Sequence, residues 1–170
     1  YISSKAANKA EHDFKDSVML TNFCLNSTAD LYEEDNSVRF VGNPTEGALL
    51  VAAEKAGTYY KNMRESSEIS DLFPFSSDTK NMTSCVKNGA GYTIYTKGSP
   101  EKILALCSVS EPERLKIEEA IVGLQKRARR VLAFAHKDVA ARPLSREDAE
   151  SGMKFDGFVG IADPLRAEVK

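Results

Sequence analysis

The chain has no tryptophan, two histidines and three cysteines in 170 residues, and each scarcity closes off a class of function. His12 and His136 alone cannot build a histidine-rich metal centre. Cys24, Cys85 and Cys107 are odd in number, far apart and set in apolar periodic segments. They are expected to be buried thiols of a reducing compartment, and neither a disulfide frame nor a metal site. A strong excess of either charge is missing as well: a formal net charge of -2 and a pI near 5.8 offer nothing to nucleic acid or an anionic membrane. No apolar run approaches the roughly 20 residues of a membrane span, and none reads as a secretory leader, so the chain is expected to be soluble. There is no internal repeat. Two phosphate-binding glycine patterns are also absent, the Gly-x-x-x-x-Gly-Lys-Ser/Thr loop and Gly-x-Gly-x-x-Gly.

What is present is enough apolar sequence, 42%, to fill one sizeable core in a domain of this length. Residues 1–10 are polar and small and suit a flexible connection. From His12, Phe14, Val18, Met19, Phe23 and Cys24 recur at helical steps, predicting a helix to about Asn26. A loop over 27–36 and a strand over 37–41 follow. Asn43-Pro44-Thr45-Glu46 then has the pattern of a capping box, with Asn43 as cap, Pro44 at the first helical position and Glu46 reaching back. The helix it opens stops near Gly57, and residues 59–69 continue helically.

Residues 72–101 organise the rest. Strands over 81–87 and 92–96 flank Asn88-Gly89-Ala90-Gly91, which supplies the positive φ angles of a tight connection. Ser99 and Pro100 suit the cap and first position of a helix over 101–107. Gly98 leaves room for a ligand to approach the backbone. Ser110-Glu111-Pro112-Glu113 is a second capping-box pattern, opening a helix whose Ile117, Ile121, Leu124 and Ala128 form one stripe. Lys126, Arg127, Arg129 and Arg130 crowd its end, where cations complement the helix dipole. A strand over 130–135 puts Leu132 and Phe134 on one face. Residues 142–152 read as a polar connection, and 155–162 as a last strand. Hairpin and helix pairs without strict strand–helix alternation imply an α+β fold, a twisted, mainly antiparallel sheet of about six strands with helices on its outer faces.

Four strings carry a resemblance: Asn43-Pro44-Thr45-Glu46-Gly47-Ala48-Leu49 after Gly42, Phe75-Ser76-Ser77-Asp78-Thr79-Lys80-Asn81-Met82, Thr96-Lys97-Gly98-Ser99-Pro100-Glu101, and Arg130-Val131-Leu132-Ala133-Phe134-Ala135. Together and in this order they resemble the nucleotide-binding domain of P-type cation-transporting ATPases, the calcium-transporting type in particular. The resemblance implies ATP as ligand, Mg-ATP in the parent enzyme, with Glu46 facing the adenine, Phe75 stacking on it, Leu132 by the base, Lys80, Lys97 and Arg130 toward the phosphates, and Ser76 and Gly98 as further nucleotide-binding residues. It further implies residues 1–162 as the nucleotide domain, 163–170 as the start of a hinge back to a phosphorylation domain, and a place on the cytoplasmic side of a membrane. Partners are then the phosphorylation and actuator domains of the parent pump. The family's phosphorylated Asp-Lys-Thr-Gly-Thr string is absent, so no catalytic residue and no metal ligand is assigned, and the chain alone is not expected to hydrolyse ATP. Ser77 stands where the family often has arginine, and Thr79 where a basic residue is common, which implies a weaker phosphate site.

Each assignment has a structural alternative. Glu46 serves equally as a helix cap, Phe75 and Leu132 as core, Lys80 as a solvated surface charge. A non-catalytic interaction domain on the same scaffold is the alternative function. A stand-alone nucleotidyl or kinase enzyme fits less well, because no carboxylate cluster for a magnesium ion is evident.

Overall fold

A computed structural model describes residues 2–3, 18–127 and 129–162. His12, Phe14, Ala128 and the 163–170 hinge of the sequence reading lie outside them.

The described chain runs β1 (Ile2–Ser3), α1 (Val18–Leu25), β2 (Asp30–Glu34), β3 (Ser37–Val41), α2 (Pro44–Lys55), α3 (Tyr60–Glu65), β4 (Ile69–Phe73), β5 (Asn81–Asn88), β6 (Gly91–Gly98), α4 (Pro100–Leu106), α5 (Glu111–Gln125), β7 (Arg129–Val139), α6 (Arg146–Glu150) and β8 (Lys154–Ala162). Six strands form one antiparallel sheet in the order β1-β8-β7-β6-β5-β4, and β2 and β3 make a separate ribbon. The α+β expectation and its strand count therefore hold.

Period-two alternation splits the core into two halves, one on each face of the sheet. On β7, Phe134 points to the face covered by α1, α2 and α3, where it meets Phe23 with ring centroids 4.9 Å apart. Leu132 packs half-buried against the same cluster. Val131, Ala133 and Ala135 point the other way, into a cluster with Ile103 and Leu104 of α4 and Ile121 and Leu124 of α5. All three cysteines are buried as free thiols. Burial pushes Cys24 up to about 11 and Cys107 up to about 12.

The β5–β6 hairpin forms in the expected register, Asn88 opposite Gly91, with Gly89 at φ +60°. Five local expectations are corrected. Residues 27–36 are not all loop: β2 pairs with β3 through a two-residue turn in which Asp35 and Asn36 both take left-handed φ, 52° and 57°. The helix over 59–69 ends at Glu65, because Ile69 already pairs with Val86 as the start of β4. Residues 142–152 contain α6, capped by Ser145, whose hydroxyl accepts the Asp148 N–H at 3.2 Å. The second capping box does not form, since Ser110 occupies the cap position without a side-chain hydrogen bond. Arg129 and Arg130 belong to β7 and not to the preceding helix.

Candidate functional site

The site assembles where the N-terminus of α2 and the turn after α1 meet the ends of β6 and β7. Asn43 starts α2 as designed, its Oδ1 accepting the Thr45 N–H at 2.8 Å. Glu46, in the first turn, is 6% exposed. Its carboxylate leaves its own helix: Oε2 accepts from the backbone N–H groups of Thr28 and Ala29 at 2.8 and 3.1 Å and from the hydroxyls of Ser27 and Thr28 at 3.2 and 3.1 Å. Oε1 accepts from the Lys97 ammonium at 3.0 Å. The partners of Glu46 are thus a neighbouring loop and a strand, in place of the reciprocal bond of a capping box.

Lys97 is 4% exposed, and its ammonium donates to the Asn26 carbonyl as well as to Glu46. Burial alone would push the Glu46 carboxyl up, but the Lys97 charge and the Thr28 N–H outweigh it, and the net effect is a pKa below the ordinary carboxylate range. For Lys97 burial dominates over the attraction of Glu46 and lowers its pKa. The pair is held from above by α1. Asn22 and Asn26, one helical turn apart and fully buried, donate to the carbonyls of Thr96 and Met82, both at 2.9 Å. Arg64 of α3 then fixes the turn that supplies the Glu46 donors, bonding the carbonyls of Cys24, Ser27 and Ala29 at 2.9, 3.2 and 3.0 Å while its guanidinium lies 4.7 Å over the Tyr60 ring.

The remaining residues picked out from the sequence fall on β7, at the end of β6 and on the connection between β4 and β5. Arg130, exposed on β7, donates to the Thr45 hydroxyl at 3.0 Å and so touches the residue next to Glu46. Phe134, two residues beyond Leu132 on the same strand, sits opposite Lys97 in the β6–β7 register. Gly98 follows Lys97 at the strand end. A Cβ there would lie 2.3 Å from the Lys80 carbonyl oxygen, so close passage of the protein's own chain already requires glycine. Phe75, Ser76 and Lys80 sit on the connection between β4 and β5. Phe75 is 59% exposed, which is not the burial of a core residue. Ser76 is half-buried, its Oγ 2.8 Å from that of Thr79 and accepting the Thr79 N–H at 3.1 Å. Lys80 precedes β5 in a left-handed conformation, φ +55°, its N–H bonded to the Ser76 carbonyl at 2.8 Å and its own carbonyl accepting the Ser99 N–H at 3.0 Å.

Glu46, Lys97 and Arg130 are therefore linked through α2, while Phe75, Ser76 and Lys80 share one loop joined to Ser99, next to Gly98, by the Lys80–Ser99 bond. Asn22, Asn26, Thr28 and Arg64 were not anticipated. The two asparagines had a signal in the sequence, amides four residues apart inside an apolar helix. Thr28 and Arg64 had none, since their partners come from other elements. Among the described residues no group of three histidine, cysteine or carboxylate side chains converges to hold a metal ion, and no helix is long and apolar enough to cross a membrane.

The family model described as P-type ATPase, cytoplasmic domain N, matches residues 16–168. Among curated relatives, the cation-transporting ATPase pma1 of Synechocystis is 35% identical over 88% of this chain and 18% of its own length. The calcium-transporting ATPase PAT1 of Dictyostelium discoideum is 33% identical over 90% of the chain and 15% of its own length. A calcium-transporting ATPase of Bacillus subtilis is 29% identical over 99% and 20%. The chain thus spans 15–20% of the length of these relatives. A match over nearly the whole chain, on an antiparallel sheet with helices on both faces, leads to one assignment: the chain belongs to the family of P-type ATPase cytoplasmic N domains.

Proposed function

We propose that the chain binds ATP as the cytosolic nucleotide domain of a cation pump, most like the calcium-transporting type, and presents it to an aspartate in a separate phosphorylation domain. The observation that carries the reading is the exposure of Phe75, a large apolar ring left in solvent on a loop whose end is bonded to Ser99, the residue after Gly98. An exposed ring is free to stack on a base. Lys80 and Arg130 are exposed cations suited to phosphates, Arg130 by a two-pronged contact. Leu132 lies beside the base. Glu46 Oε1, which accepts one bond from Lys97, has a second lone pair for the adenine amino group. Lys97, already engaged with Glu46 and Asn26, acts on the phosphates mainly through its field. Magnesium arrives with the phosphates, and phosphoryl transfer belongs to the rest of the pump, alongside its phosphorylation and actuator domains on the cytoplasmic side of the membrane.

One stacked ring and a few half-solvated charge contacts imply a Kd of about 0.1–1 mM. The test is titration with ATP, ADP and AMP followed by NMR. Phe75→Ala should weaken all three alike, by about 1–3 kcal/mol. Arg130→Ala should weaken ATP more than AMP. Millimolar ATP that leaves the Phe75 resonances unmoved would instead favour the interaction-domain reading, toward which Ser77 in place of a common arginine points.

A further inference from the structure

The loop that carries Phe75 and Lys80 is tied within itself only by short-range bonds, chiefly those of Ser76 to Thr79 and Lys80. The Phe75 and Lys80 side chains are exposed, so neither anchors the segment by burial. Lys80 moreover sits in a left-handed conformation that a non-glycine residue adopts only when its surroundings impose it. The loop is gripped from α6, at both ends at once. Arg146 donates from Nη1 to the Pro74 carbonyl at 3.2 Å and from Nη2 to the Asn81 carbonyl at 2.7 Å and the Asn81 Oδ1 at 3.0 Å. Pro74 and Asn81 are the residues immediately before Phe75 and immediately after Lys80. The guanidinium is aimed by Glu150, four residues on, whose Oε1 accepts from Arg146 Nε at 2.8 Å. That same oxygen accepts from Asn81 Nδ2 at 2.9 Å and Thr83 Oγ1 at 2.6 Å, which pins the carboxylate to β5. Glu150 is 5% exposed.

We propose that Arg146 and Glu150 are positioning residues of the nucleotide site, a clamp that closes the 74–81 segment and thereby sets the pose of Phe75 and Lys80. This deepens the ATP-binding reading and rests on it. The rigid, planar guanidinium matters: it reaches two carbonyls at opposite ends of the loop while its Nε faces Glu150, and a lysine ammonium cannot span all three. With the clamp in place the loop is ordered before the ligand arrives. Without it, binding must order the loop, and affinity falls by about two- to tenfold.

The test compares the chain with Arg146→Ala, Arg146→Lys and Glu150→Gln, reading two quantities in each: affinity for ATP and AMP, and hydrogen exchange of the Lys80 amide that bonds to Ser76. Arg142→Ala serves as a control, since that exposed arginine pairs with Asp71 on β4 and touches neither end of the loop. The clamp predicts faster Lys80 exchange and a two- to tenfold weaker affinity for ATP and AMP alike in Arg146→Ala. It predicts little recovery with lysine, and no change in the control. If Arg146→Ala does not fold, Glu150→Gln keeps the shape and a hydrogen-bonding oxygen while removing the charge, and should give the same two effects in smaller measure. Folded variants with ATP and AMP affinities unchanged overturn the proposal, whatever the exchange rate does. An unmodified chain in which ATP does not bind overturns the nucleotide reading itself, and the proposal with it.

Discussion

Removing one member of the Glu46–Lys97 pair should be far more damaging than removing the other. The two side chains are 8% and 5% exposed, so either substitution strands a charge away from water. In Lys97→Met the stranded carboxylate keeps the Thr28 and Ala29 N–H groups, two hydroxyls and the positive end of α2. A cost of roughly 1–3 kcal/mol follows, that of one lost charged hydrogen bond. In Glu46→Ala the stranded ammonium keeps only the Asn26 carbonyl among the described contacts, and the donors of residues 27–29 lose their acceptor. About 3–5 kcal/mol is expected, the scale of breaking a buried pair from one side. The figure has a ceiling, because Lys97 can shed its proton: deprotonating a lysine of pKa 10.5 at pH 7 costs about 5 kcal/mol. That escape gives the variant a pH signature. The folded state of Glu46→Ala holds Lys97 below its unfolded pKa of 10.5, so between the two values the unfolded chain binds more protons and stability rises with pH. Urea unfolding of the three proteins at pH 7 and pH 9 measures both effects. A Glu46→Ala loss under about 1 kcal/mol, the size of a cap, or a loss smaller than that of Lys97→Met, would refute the reasoning.

Further outcomes follow from other sites. The Glu46 carboxyl is held below its unfolded value of 4.5, so its stabilisation is complete above pH 4.5 and is lost as pH falls through the folded value. In Lys97→Met that acid transition, followed by circular dichroism, should move to higher pH, because the Lys97 charge is a main cause of the depression. Gly98→Ala should destabilise by roughly 1–3 kcal/mol or more, since its methyl would meet the Lys80 carbonyl at 2.3 Å; thermal unfolding at an unchanged midpoint would contradict this. Cys24 and Cys107, buried with thiol pKa values pushed up to about 11 and about 12, should react with an aromatic disulfide reagent only as fast as the chain opens. Rapid labelling at pH 7 under folding conditions would contradict that.

The sequence by itself determined the elements whose signals are local. Asn88 to Gly91 specify a hairpin because their φ requirements are met within four residues, and Asn43-Pro44 specify a helix start for the same reason. The alternation along Arg130 to Ala135 told which residues face which half of the core, and the order of four short strings pointed to the family. Tertiary structure alone decided what depends on partners far along the chain. Ile69–Phe73 became a strand because β5 offered an open edge, and the polar stretch around Arg146 became a helix because Glu150 and Arg146 found Asn81 and Thr83 some 65–69 residues away. Glu46 is the clearest instance. Its spacing from Asn43 favours a capping box, and nothing nearby in sequence argues against it. The fold brings two N–H groups from residues 28 and 29 and an ammonium from residue 97 to the same carboxylate. Several charge-strengthened bonds in a buried site outweigh one local cap bond, and that balance is invisible until chain segments 51 residues apart are brought together.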